Sequence, residues 1–320
     1  MLQAMRGQWL AVPVALAVSA PATAAETPRR PAALESDVGV TVEFAGHAHE
    51  QVEEMAAAGI GWIRADLAWS HAEREPGKYD FSAWDRLVGA AESKAIRVLL
   101  ILDYGNALYD GMAPPCSDPA RAAFAAFSGA AARHFHGRAA WEIWNEPNVP
   151  RYWVGAPDAS CYVALARDAA AAIRREDPSA WILGPALGGE TFDRDYLEAT
   201  FRLGLLGIVD AVSIHPYSAP HPEAAVPIYA DVRRMMKLHG APRRMPLVVS
   251  EWGYPSREPE TAAQADYIVR ALTVNRSNGI PLTIWYCWQE PVLPWNSFGL
   301  LDVHGRAKAA YQALQSLRAR

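Results

Sequence analysis

The 320-residue chain lacks the features that mark nucleic-acid and membrane proteins. It sets 30 Lys and Arg against 35 Asp and Glu, for a formal net charge of −5, and has no basic run. Without a basic patch it has little to offer a phosphate backbone or an anionic membrane surface. Its N-terminal apolar stretch, residues 9–18, is shorter than the roughly 20 residues a bilayer span needs. There is no fixed-period repeat, low-complexity block or inter-domain linker. Cysteine is scarce: Cys116, Cys161 and Cys287. An odd number allows at most one intramolecular pair. Cys287 lies in a strand-like apolar run and reads as a buried free thiol. Cys116 and Cys161, both in loop-like segments, are the candidate disulfide.

What is present begins with an export pattern. Arg6, the apolar stretch and Ala22-Thr23-Ala24 form the charged, apolar and small-x-small sequence of a signal peptide over residues 1–24. The expected location is therefore secreted or periplasmic. A Pro-rich linker, 25–37, then leads into one domain, 38–320. With 51% hydrophobic residues this length can bury one large core. Strand-like runs are expected at 38–44, 60–66, 96–103, 139–145, 181–185, 209–215, 247–251 and 282–288. Ala-rich stretches with apolar spacing of three and four lie between them, at about 48–58, 81–94, 118–134, 158–176, 193–203, 223–239, 260–277 and 305–318. Strands alternating with helices imply parallel βαβ units. Eight such units predict an α/β fold, a single-domain (β/α)8 TIM barrel.

The strands stay apolar until their C-terminal ends. There they finish in Arg64 to Asp66, Asp103-Tyr104, Asn145-Glu146, His215 to Tyr217, Glu251 and Trp288 to Glu290. In such barrels the reacting groups occupy this face. Two segments are the most informative: Trp141-Glu142-Ile143-Trp144-Asn145-Glu146-Pro147-Asn148 after the fourth strand, and Val249-Ser250-Glu251-Trp252-Gly253-Tyr254 at the seventh. Together with Ile214-His215-Pro216-Tyr217, they make the chain resemble glycoside hydrolase clan A. It is most similar to family 39 and the related bacterial polysaccharide hydrolases. The resemblance runs from Gly39 to Tyr311.

That resemblance implies a retaining O-glycosyl hydrolase that acts on a carbohydrate and needs neither metal nor cofactor. Glu146 is the expected acid/base and Glu251 the expected nucleophile. Retaining enzymes hold two carboxyls about 5–5.5 Å apart, so that one attacks the anomeric carbon while the other protonates the leaving oxygen. Trp141 and Trp144 make the surroundings of Glu146 apolar, which favours its protonated form. Arg64 and the Tyr217 hydroxyl are expected to keep Glu251 ionised. Asn145 is expected on the sugar 2-OH, and His215 in the supporting network. Glu142, mid-strand below the mouth, reads as a buried structural carboxylate, and Asp66 as an alternative partner of Arg64. Of the twelve tryptophans, about half are assigned to the core. Trp69, Tyr104, Trp252 and Trp288 are expected as platforms on which sugars stack. Trp153 and Trp295, in loops, are harder to assign to the core.

One rival uses the same fold. His47-Ala48-His49 after the first strand and His215 at the sixth resemble part of the ligand set of metal-dependent amidohydrolases. The fifth strand supplies no His and the fourth no bridging ligand, which argues against it. On substrate, aromatics at several strand ends, export and a chain ending soon after its eighth helix lead to an expectation of endo action on a bacterial exopolysaccharide or similar β-linked glycan. The alternative is an exo-acting, β-xylosidase-like enzyme.

Overall fold

A computed structural model describes residues 37–43, 45–256, 261–291 and 297–318. The expected signal peptide, all but the last residue of the expected linker and Trp295 lie outside the described residues. Among them eight parallel strands close a barrel: β1 (Asp37–Val42), β2 (Trp62–Ala68), β3 (Arg97–Asp103), β4 (Ala140–Ile143), β5 (Ile182–Leu187), β6 (Ala211–Ile214), β7 (Leu247–Trp252) and β8 (Leu282–Trp285). Each strand pairs with its sequence neighbours, and β8 returns to β1 through Asp37↔Leu282 to Val40↔Trp285. The principal helices are α1 (Val52–Ala58), α2 (Ser82–Ser93), α3 (Asp118–His134), α4 (Ala159–Glu176), α5 (Arg194–Arg202), α6 (Val226–Leu238), α7 (Thr261–Ser277) and α8 (Ala309–Arg318). Each lies within or close to one of the expected helical stretches.

Helix starts follow local chemistry. Ser117 caps α3 by accepting from the Ala120 amide, and Asp158 caps α4 by accepting from Ser160 and Cys161. Each cap satisfies N–H groups that the helix itself leaves unpaired. The sequence reading missed a short antiparallel hairpin after β2, Glu73–Glu75 with Lys78–Tyr79. Its signal was the Pro76-Gly77 pair: Gly77 has φ +73°, the conformation such a turn needs at its third position. Glu73, 1% exposed, accepts from the Gly77 amide, the Tyr109 hydroxyl and the Trp69 indole.

The barrel interior is layered by strand alternation. Trp62, Leu99, Ala140, Leu183, Ala211, Val248 and Leu282 form an apolar floor with Trp181 and Ile284. Two residues further along their strands come Arg64, Glu142, Ser213 and Ser250, all buried. The polar groups of the mouth therefore stand on a dry base.

The disulfide joins Cys116 to Cys161, with Cα atoms 5.4 Å apart. Cys161 is not in a loop, as the sequence reading had it, but in the first turn of α4. The bridge therefore pins the β3–α3 loop to a helix end. Cys287 is free and buried.

Candidate active site

Arg64 organises the mouth. It is 1% exposed, and its N–H groups reach four neighbours. Nε donates to Glu142 at 2.7 Å, Nη1 to Glu251 at 2.6 Å and Nη2 to Asn145 at 2.9 Å, with His215 Nε2 at 3.5 Å. Burial works against its charge, but Glu142 and Glu251 raise its pKa above the ordinary range. Glu142 is fully buried, as its mid-strand position predicted. Burial would raise its carboxyl, but Arg64 and then His215 hold it below the usual value. Neither charge would be tolerated there without the other.

Glu251 is oriented from two sides. Arg64 takes Oε2, and the Tyr217 hydroxyl donates to Oε1 at 2.8 Å. Burial, and Glu251 beside it, push the Tyr217 phenol well above its ordinary pKa, so it stays a donor. Glu146 faces His215, whose Nδ1 is 2.8 Å from Oε1. The tautomer follows from the neighbours. A guanidinium only donates, so Nε2, beside Arg64 and 3.1 Å from the Ser250 hydroxyl, is the acceptor. A neutral ring then carries its proton on Nδ1 and donates to Oε1. Among the described residues, no hydrogen bond engages Oε2 of Glu146.

The backbone at this point is unusual. Trp144, Glu146 and Ala186 have φ of 66°, 47° and 52°, conformations that non-glycine residues enter at a cost and that cluster at functional sites. Gly188 presses against Glu146: a Cβ there would lie 2.0 Å from its Cδ. Asn148 holds that glycine through its amide and its carbonyl, at 3.1 and 2.8 Å. Asn145 accepts from Arg64 and donates to the Tyr104 hydroxyl at 3.1 Å, which leaves one amide hydrogen for a ligand.

Single donor atoms of Glu146, His215 and Glu251 lie within 4.8 Å of one another. This is the one group among the described residues close enough to share an ion, and it includes neither His47 nor His49. Its donor atoms are already engaged, and the Arg64 guanidinium on Glu251 opposes a cation. The geometry suits a two-carboxylate site better than a metal centre.

Three of the expected platforms need correction. Trp69, 1% exposed, is stacked at 4.9 Å on Tyr109 and packed against Phe124 and Phe127. Trp252 is fully buried against Tyr254, and Trp288, 1% exposed, against Tyr311. None presents a face to a ligand. Trp153 is core as well, 2% exposed and edge-on to Trp144 at 5.2 Å. Tyr104 is half-buried, with Tyr152 stacked at 6.2 Å. The half-buried aromatic just beyond β8 near Glu251 is Tyr286, which donates to Glu43; neither residue was singled out from sequence. The signal was there: an aromatic one residue beyond β8, where that strand meets the mouth.

The family described as cellulase (glycosyl hydrolase family 5) matches residues 36–291. A β-xylosidase of Geobacillus stearothermophilus is 28% identical over 203 residues, 54% of this chain and 40% of that protein. One of Caldicellulosiruptor saccharolyticus is 27% identical over 202 residues, 55% and 40% respectively. The chain thus spans less than half the length of these relatives. Its fold is similar to that of a family 39 glycoside hydrolase from Bacteroides cellulosilyticus, with a TM-score of 0.75 and 24% identity over 88% of this chain and 63% of the other.

Proposed function

This chain belongs to the cellulase family, glycosyl hydrolase family 5, within the clan A glycoside hydrolases, and from that premise we propose that it is an exo-acting, retaining β-glycosidase that releases one terminal sugar by double displacement. The observation that carries the chemistry is the approach of Glu146 and Glu251, whose donor atoms come within 4.8 Å. Oxygens this close are consistent with the roughly 5–5.5 Å separation of carboxyl groups that permits direct attack. In the first step an oxygen of Glu251 bonds to the anomeric carbon. The glycosidic C–O bond breaks, and the leaving oxygen takes the proton from Glu146. In the second step Glu146 takes a proton from water, whose oxygen attacks the same carbon and releases Glu251. In this reading the free hydrogen of Asn145 donates to the sugar 2-OH, a contact that strengthens in the transition state.

Exo action is favoured over the endo expectation on two grounds. Both curated relatives described above are β-xylosidases. The endo reading also rested on aromatics spread around the mouth, and Trp69, Trp153, Trp252 and Trp288 are core. The deciding measurement is early product size on purified β-linked oligosaccharides, xylo-oligomers first. Monosaccharide as the sole early product, with rates flat beyond a disaccharide, is expected. Oligomers released early, with rates rising over several added residues, overturn the exo reading. We also propose export, on the N-terminal pattern. Fractionation of the producing cells should find the protein outside the cytoplasm, shortened by about the length of residues 1–24.

A further inference from the structure

Beside the two glutamates, the pocket holds carboxyls that this mechanism does not use. β2 turns Trp62, Arg64 and Asp66 toward the barrel interior in succession. Trp62 is in the floor and Arg64 in the buried polar layer, while Asp66 is exposed. Arg64 directs its N–H groups to Glu142, Glu251, Asn145 and His215. Among the described residues, none donates a hydrogen bond to the Asp66 carboxylate. Burial pushes its carboxyl up to about 6; Arg64 opposes the rise, and Glu251, Glu43 and Glu142 add to it. Asp66 thus stands exposed one inward step beyond the buried Arg64.

The next strand supplies an independent observation. By alternation from Leu99 in the floor, Ile101 and Asp103 of β3 also turn inward. Asp103 is fully buried, and neither of its carboxyl oxygens has a partner. Burial, and Asp66 beside it, push this carboxyl well above its usual pKa. A buried acceptor without a partner is costly and calls for an explanation. Glu43, beyond β1, is exposed and takes the Tyr286 hydroxyl. The β1–β3 side of the mouth therefore gathers carboxyls whose oxygens are short of partners, and Glu251 lies near enough to raise the Asp66 carboxyl.

A terminal sugar has the complementary chemistry: several hydroxyl donors and, if neutral, no charge. We propose that Asp66, with Asp103 behind it, is the residue that selects the glycone. Its carboxylate accepts hydrogen bonds from hydroxyls of a neutral terminal sugar and repels a glycone that carries its own carboxylate. This assignment rests on the glycosidase reading and adds a substrate class to it.

The test compares the wild-type protein with Asp66→Asn, which keeps the shape but exchanges an acceptor oxygen for a donor amide. kcat/KM is measured on 4-nitrophenyl β-xyloside and 4-nitrophenyl β-glucuronide, and the binding of free xylose and free glucuronate by calorimetry. A hydrogen bond to a charged group is worth about 1.5–3 kcal/mol, so the xyloside should lose roughly 10- to 150-fold in kcat/KM. The preference for xyloside over glucuronide should narrow by at least about tenfold, a change that a merely structural defect would not produce. If the wild type cleaves no aryl β-glycoside, the exo reading fails, and the assignment of Asp66 is judged on binding alone. Xylose affinity lowered about tenfold or more in Asp66→Asn supports it. An unchanged xyloside-to-glucuronide ratio overturns it, as does xylose binding that is equal in the two proteins or absent from both.

Discussion

Glu146 and Glu251 share one mouth but have unlike neighbours, and that difference makes their roles separable. Glu251 is held by a guanidinium and a phenol, Glu146 by one imidazole. Glu251→Ala should abolish turnover even on an activated aryl glycoside. Glu146→Ala should spare the first step there, because a good leaving group needs little protonation, and should lose about 10²- to 10⁴-fold on an unactivated glycan. Added azide should then restore turnover of the aryl substrate in Glu146→Ala and yield a β-glycosyl azide; near-normal activity of that variant on a natural glycan would sink the assignment. The two glutamates, Arg64, His215 and Tyr217 were legible because their motifs sit at strand ends. The tryptophans misled because a strand end fixes the level of a residue but not what covers it. Trp252 shares the inward parity of Val248 and Ser250, yet Tyr254 lies 5.5 Å from its ring. Asp66 had the opposite history. Considered only as a partner for Arg64, it was passed over, although alternation from Trp62 brings it to the opening.

At the scale of elements, the eight strand–helix units were readable because the apolar runs and the Ala-rich stretches differ in period. The hairpin after β2 was not, since strands of three and two residues are too short to show alternation. The disulfide is the one covalent tie between elements. It fixes the β3–α3 loop, whose strand ends in Asp103, to the start of α4, whose preceding loop carries Glu146. Replacing both Cys116 and Cys161 with Ser should cost about 2–4 kcal/mol, chiefly by freeing the unfolded chain. Calorimetry should show a lower Tm for the double variant, matched by wild type under reduction; a Tm equal to that of the oxidised wild type would mean that the bridge carries no stability.

For the whole molecule, the stereochemical outcome integrates everything the barrel positions. Proton NMR of the first-formed product should show the anomeric configuration of the substrate, because two displacements at one carbon restore it. An inverted first product would mean that water, not Glu251, attacks. The barrel and the placing of Glu146 and Glu251 at its mouth could be read from the chain because they repeat a geometry. The substrate could not, because loops and pocket walls set it, and their side chains obey no period.

Arg64 gives this architecture an uneven tolerance of change. One buried guanidinium contacts Glu251, Asn145 beside Glu146, and His215, which holds Glu146. A substitution at any of these four disturbs the other three, and even lysine cannot reproduce the fork. Asp66 and Glu43 stand outside that knot. With Asp66 choosing the sugar as proposed, such a protein can change its preference over evolutionary time by small steps along the β1–β3 wall, while the residues tied to Arg64 are inherited as one block.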